Sequence, residues 1–313
     1  MGRALISYLG PQGSFTHAAA LQWADEEHEL VAATTVPDVF AAVSDGRAGL
    51  GVVAIENSVE GYVVPSLDAI VAAHDVVAVD QTALQISFDA FVRPGRTDAA
   101  GLTHVTAHPH GLAQAQRFVA STGLAPVPAS SNAAACRDLA EDGMAIGPRI
   151  CGELYGLQTW EQGVEDFPGA RTRFLLLARR DAAVARLARH DGADVGWATM
   201  LAVTPRVTGP GVLARIATTF GERGVNMSSL ITRPLKALAG RYVFVITCDG
   251  APWDAEVRAL FESLLEAGDA VKTLGVFRAP DDLDVAVDPR RIPTGSVAAD
   301  SDDDAKREGL LWA

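Results

Sequence analysis

The sequence predicts an α/β protein built in two folded parts, and three observations carry that reading. Over residues 3–180 short apolar runs alternate with helical stretches, the pattern of an α/β layer fold. Residues 199–276 then follow a compact β-α-β-β-α-β order, the ferredoxin-like arrangement. Between them, 179–196 is rich in Ala, Arg and Asp and reads as a linker or a short surface helix. At 313 residues the chain is long for one domain and comfortable for two.

Taken in order, strands are expected at 4–8, 51–55, 76–79, 84–92, 104–107, 144–146 and 174–178. Helices are expected at 15–26, 37–45, 65–73, 111–121, 132–141 and 148–155. Ser14 stands at a plausible N-cap for the first of these, and Ser130-Ser131-Asn132 opens the fifth. Phe174-Leu175-Leu176-Leu177 is too short and too aliphatic for a surface helix and reads as a buried strand. In the second part, strands at 199–204, 226–232, 242–247 and 271–276 enclose helices at 212–223 and 254–266. From Asp281 the chain carries nine acidic against four basic side chains with little periodicity, the composition of a disordered tail. Its closing Leu310-Leu311-Trp312 is apolar enough to dock. The expected boundaries are 1–180, a linker at 181–197, 198–279, and a tail at 280–313.

Composition narrows the class of function. With 49% hydrophobic and 21% charged residues, both parts can bury cores. A net charge of -13 argues against a nucleic-acid partner, which needs clustered Lys and Arg. Cys136, Cys151 and Cys248 are odd in number and share no CxxC spacing, so they read as buried thiols in a reducing compartment. No apolar stretch approaches the roughly 20 residues that span a bilayer, and the first strand follows Met1 closely enough to leave no signal peptide. The expectation is a cytoplasmic protein with no membrane contact.

The chemistry-bearing segments are few. In Gly169-Ala170-Arg171-Thr172-Arg173-Phe174-Leu175 a hydroxyl is flanked by two guanidinium groups at the mouth of the apolar run. Arg meets carboxylates bidentately, which Lys does not. Near the N-terminus stand Tyr8-Leu9-Gly10-Pro11-Gln12-Gly13-Ser14-Phe15-Thr16-His17, then Ile55-Glu56-Asn57-Ser58-Val59-Glu60-Gly61. The first of these lacks both the GxGxxG and the GxxxxGK[ST] spacing, so it is no nucleotide loop. No His/Cys/Asp/Glu group has metal-ligand spacing, and neither a metal nor another cofactor is expected.

These three blocks, in this order and at these separations, resemble the signature blocks of prephenate dehydratases. Residues 209–277 resemble the ACT regulatory domain that follows the catalytic part in bacterial members. The resemblance implies a two-lobed, periplasmic-binding-protein-like catalytic domain. One lobe would run over about 1–80 with a returning strand within 169–180, the other over about 81–168. It also implies decarboxylative dehydration of prephenate to phenylpyruvate, for L-phenylalanine synthesis.

Such a reaction needs a donor at the leaving hydroxyl, a grip on two carboxylates and exclusion of water. The resemblance makes Thr172 that donor and Arg173 a carboxylate holder, and Asn57 and Ser58 further donors. Glu60 cannot grip an anion; it would orient other groups or bridge to an Arg. Ser14, Thr16, His110, Ser131 and Phe174 complete the expected substrate site. His110 stands where members usually have Gln, and Ala170 where Asn is common. Gly209, Gly211, Val212 and Leu213, with Ile231, Thr232, Arg233 and Pro234, resemble the walls of an L-phenylalanine pocket between two ACT domains. This implies a homodimer or homotetramer. Ile231 replaces a usual Glu there, so weaker effector binding is expected. Arogenate dehydration and a non-catalytic two-lobed sensor remain open alternatives at this stage.

Overall fold

A computed structural model describes residues 3–187, 196–235, 241–279, 292–294, 296–298 and 301–311. The first apolar runs form β1 (Ala4–Leu9), α1 (Phe15–Ala20), β2 (His28–Ala33), α2 (Val36–Ser44), β3 (Leu50–Asn57), β4 (Gly61–Tyr62), α3 (Val64–Ala72) and β5 (Val76–Gln85). The second lobe follows with β6 (Phe88–Val92), β7 (His104–Ala107), α4 (Pro109–Gln114), α5 (Gln116–Thr122), β8 (Ala125–Pro128), α6 (Asn132–Arg137), β9 (Gly143–Pro148), α7 (Ile150–Tyr155) and β10 (Gln158–Glu161). Then β11 (Arg171–Arg179) returns to the first lobe and inserts between β5 and β3, antiparallel to both. Its Leu175 and Leu177 have no exposed surface, as an apolar run in mid-sheet requires.

After α8 (Arg180–Leu187) come β12 (Trp197–Thr204), α9 (Val212–Glu222), β13 (Met227–Pro234), β14 (Tyr242–Asp249), α10 (Ala255–Glu266) and β15 (Ala270–Arg278). Their strand order, β13-β14-β12-β15, is the ferredoxin-like one expected from the sequence. The same sheet continues as β5-β11-β3-β1-β2, with β4 on β3, while the second lobe has its own sheet, β10-β6-β9-β7-β8. The junction is a single parallel pair, Gly275 with Ala78. A Cβ on Gly275 would lie 2.7 Å from the Ala78 Cβ, so the close approach requires glycine.

Several expected elements are cut short, each by a tertiary contact. The first helix stops at Ala20 rather than reaching residue 26, and the Trp23 indole turns to donate to Asp80 on β5 (3.0 Å). The helix expected over 111–121 breaks at Ala115, because the Asp166 carboxylate accepts from the amides of Gln116 and Arg117 and starts a new helix there. Four strands escape the pattern. The least legible is β8, Ala-Pro-Val-Pro, which tolerates two prolines because it is an edge strand paired only with β7.

The last part of the chain, 279–313, is a separate compact unit. Against the expectation of a featureless tail, it contains α11 (Asp303–Leu310), capped by the Asp302 carboxylate on the Ala305 amide (2.7 Å). Trp312, linker residues 188–195 and most of 280–300 lie outside the described residues. Among the described residues, no helix is long and apolar enough to cross a membrane.

Candidate active site

Antiparallel pairing of β11 with β3 sets Thr172 opposite Asn57 and Arg173 opposite Glu56; the register then shifts, so that Phe174 faces Ala54. The extra residue this leaves in β3 is a bulge, which re-aims side chains at a strand end. Thr172 is buried, and its Oγ1 accepts a hydrogen bond from the Asn57 amide (2.8 Å). The other end of the Asn57 side chain accepts from the backbone N–H groups of Val59 (2.8 Å) and Glu60 (3.0 Å). Both ends are therefore committed, and the amide cannot flip. Because Thr172 accepts from Asn57, its own hydroxyl proton is left for donation. Asn57 therefore positions Thr172 with one N–H of its amide, and the second N–H stays compatible with the expected donor role.

Ser58 extends the strand pairing: its Oγ accepts from the Arg171 N–H (2.9 Å), and its N–H donates to the Arg171 carbonyl (2.8 Å). Its hydroxyl proton also remains to be donated. Arg173 forms an ion pair with Glu56. Burial pulls the Arg173 guanidinium below its ordinary range, and Glu56 offsets that penalty with opposite charge.

Glu60 meets Gln114 and His110. Its carboxylate accepts from the Gln114 amide on α4 (2.6 Å) and lies 3.7 Å from His110 Nδ1, so it reaches from the first lobe to the second. The His110 side chain is 72% exposed, and its amide donates to His108 Nδ1 (3.2 Å). Gln114 was missed in the sequence, although it lies four residues beyond His110, the spacing that shares a helix face. Beside the turn, a small crevice of only about 10 Å³ is lined by Val59, Ile86, Gln114, Glu165, Phe167 and Ala170.

The remaining candidates are engaged in architecture. Ser14 caps α1 by accepting from the His17 amide (3.2 Å), and Ser131 caps α6 by accepting from the Ala134 amide (2.9 Å). Thr16 is buried. Phe174, expected among the substrate contacts, is sealed in the first-lobe core at 1% exposure; it fixes β11 and offers no surface to the cleft. His17 is buried too, with Nδ1 accepting from the Gly13 amide (3.2 Å), and burial lowers its pKa. Gly13 has φ +86°, and a Cβ there would meet the Tyr155 hydroxyl, the Cys151 sulfur and Leu154 within about 3.2 Å. That tight seat is where α7 of the second lobe presses on the first: Tyr155 donates to the Gln12 carbonyl (2.6 Å).

In the ferredoxin-like part, Gly211 (φ +86°) precedes α9 without a side-chain cap, and Leu213 is exposed. Gly209 lies in the loop before α9, and Val212 is the helix's first residue. On β13, Ile231 and Arg233 alternate with the exposed Thr232 and Pro234. The Arg233 fork meets Asp68 on α3 (2.7 and 3.0 Å), so within the chain it faces the first lobe. Among the described residues, no group of three His, Cys, Asp or Glu side chains could hold a metal ion.

The family model for prephenate dehydratase matches residues 6–182, from β1 through the strand that carries Thr172. The chain belongs to the prephenate dehydratase family. A prephenate dehydratase from Amycolatopsis methanolica is 33% identical over 288 residues, 91% of each chain. One from Corynebacterium glutamicum is 34% identical over 270 residues, 83% of each. Among solved structures, the prephenate dehydratase from Arthrobacter aurescens in complex with L-Phe aligns with TM-score 0.76 at 30% identity, covering 92% of this chain and 94% of its own. A structure described as GqqA, a novel type of quorum quenching acylase, aligns with TM-score 0.77 at 26% identity, covering 88% and 98%. Membership makes the chain an enzyme, and the fold classes agree in both parts.

Proposed function

We propose that this chain is a carbon–oxygen hydro-lyase acting in the cytoplasm: a prephenate dehydratase that makes phenylpyruvate. The observation that carries the reading is the Thr172 hydroxyl, held by the Asn57 amide so that its proton is available (2.8 Å). In the reaction the bond from the ring to one carboxylate breaks, and its electron pair moves into the ring. The carboxylate leaves as carbon dioxide, the C–OH bond breaks at the opposite carbon, and the departing hydroxide takes one proton, passed on from solvent through the hydroxyl donor, to become water. Aromatisation supplies the driving force. A Thr hydroxyl is too weak an acid for early proton transfer, so Thr172 acts by hydrogen bonding to the departing oxygen as charge builds. Ser58 supplies a second donor, and Arg173, set in place by Glu56, holds a carboxylate. The Glu60–Gln114 contact draws the lobes together and excludes water.

Prephenate is favoured over arogenate because the turn's carboxylates are already engaged, Glu56 by Arg173 and Glu60 by Gln114 and His110. No acid on that turn is left for a substrate ammonium. The ferredoxin-like part is read as an ACT domain, with 209–213 and 231–234 forming an L-phenylalanine pocket across a homodimer or homotetramer. The relative solved with L-Phe supports that effector. Ultraviolet detection of phenylpyruvate from prephenate, beside an acyl-amide hydrolysis assay, tests the reading. Phenylpyruvate should form without amide hydrolysis; the reverse would place the chain with the acylase of the same fold.

A further inference from the structure

We infer that Tyr62 and Ser229 are positioning residues: their hydrogen bond ties the C-terminal ferredoxin-like part to the hairpin that holds Asn57 against Thr172. The inference rests on the proposed role of Thr172. Tyr62 donates to Ser229 Oγ at 2.9 Å, across 167 residues of sequence. Tyr62 belongs to the two-residue strand β4, which pairs with β3 and places Tyr62 opposite Glu56 and Gly61 opposite Asn57. Glu56 carries Arg173, and Asn57 carries Thr172. The outer side of this hairpin is therefore fixed by a hydroxyl from β13, not by another strand of its own lobe.

The same strand grips the next element. Ser229 and Arg233 lie on one face of β13, four residues apart, as the two-residue period of a strand dictates. Arg233 meets Asp68 near the middle of α3, the helix that begins two residues after Tyr62. Lys272 on β15 donates to the Val71 carbonyl (2.8 Å) and to that of Ala73, the C-terminal carbonyls of α3. Hairpin and helix are thus held from one side by the ferredoxin-like part. A shift of β13 moves Tyr62, and through the β3–β4 pairing it moves the Asn57 amide. Nothing in this chain of contacts requires a ligand at β13, but a ligand there would act along it.

Steady-state turnover of prephenate by Ser229→Ala, Tyr62→Phe and the double variant, with hydrogen exchange of the 57–62 segment, tests this. Each single variant should lower kcat about three- to tenfold, the factor one neutral hydrogen bond supplies, with KM changed less than about twofold. The double variant should be no worse than either single one, since both remove the same bond. Ser229→Thr keeps the hydroxyl and should restore kcat, and exchange at the Val59 and Glu60 amides should rise in Ser229→Ala alone of the two Ser229 variants. Unchanged kcat and exchange in Ser229→Ala, additive losses in the double variant, or no restoration by Thr would each overturn the inference. If the wild-type chain makes no phenylpyruvate, the proposed reaction fails, and the exchange measurement alone decides whether the hairpin depends on Ser229.

Discussion

The two lobes furnish the cleft in different ways. On the first lobe, Thr172, Asn57, Ser58, Arg173 and Glu56 are locked to one another across two paired strands. On the second, His110 and Gln114 reach Glu60 from an exposed helix of six residues, and Ser131 is occupied as a cap. Groups that act on developing charge must be fixed before the reaction, because reorganising them during it costs activation energy. Groups that close a cleft must be able to let go. The first lobe is built for chemistry and the second for closure, and substitutions on the two sides should separate kcat from KM.

The sharpest break in this comparison is Thr172→Ala. Turnover should fall at least about a hundredfold, the scale of a lost transition-state donor, with substrate affinity changed far less. Near-normal turnover by the folded variant would remove Thr172 from the chemistry. Next comes Arg173→Lys, which keeps the charge but loses the fork. We expect kcat/KM to drop about ten- to a hundredfold, the worth of a charge-assisted hydrogen bond; wild-type kinetics would make Arg173 a purely structural partner of Glu56.

On the closure side, Gln114→Ala should raise KM about three- to tenfold with kcat nearly intact, as expected for an exposed hydrogen bond to a charged group. A loss confined to kcat would place Gln114 among the chemical groups. Ser131→Ala should cost about 1 kcal/mol of stability from the lost cap and leave turnover within about twofold. Denaturant titration beside the assay checks this, and a large kinetic defect without a stability change would return Ser131 to the substrate.

The smallest effect concerns His17. Its pKa in the fold lies below the ordinary value of 6.5 because burial disfavours the cation. The unfolded chain therefore takes up the proton first, and stability is lost as the pH falls below that value. Thermal melting of the wild type should drop on moving from about pH 7 to about pH 5.5, and His17→Asn should flatten this dependence. An unchanged slope would mean that the His17 ring is free to charge.

How much of this was legible in the sequence depended on whether a residue's partner was local. The strand bearing Thr172 could be read from its own apolar run, and the helix caps from Ser14 and Ser131. Asn57, Ser58 and Thr172 could be named as a group by resemblance, but not the direction of their hydrogen bonds. That direction is set by the pairing of strands 115 residues apart. For the same reason the sequence left Glu60 between orienting other groups and bridging to an Arg, without naming Gln114, and Phe174 was placed in a site from which its burial removes it. Tyr62 and Ser229 carry no local signal at all. The end of the first helix at Ala20 and the break at Ala115 were likewise invisible, since Trp23 and Asp166 act from elsewhere in the fold.

The Gly275–Ala78 junction has a mechanical consequence. Where two sheet edges meet through residues with almost no side chain, the contact is a smooth bearing without interlocking teeth. Resistance to sliding then comes from latches beside it: the Arg180 guanidinium on the Thr273 carbonyl (2.7 Å) and the Lys272 ammonium on α3. Such a joint cannot accept one added methyl group without being wedged apart.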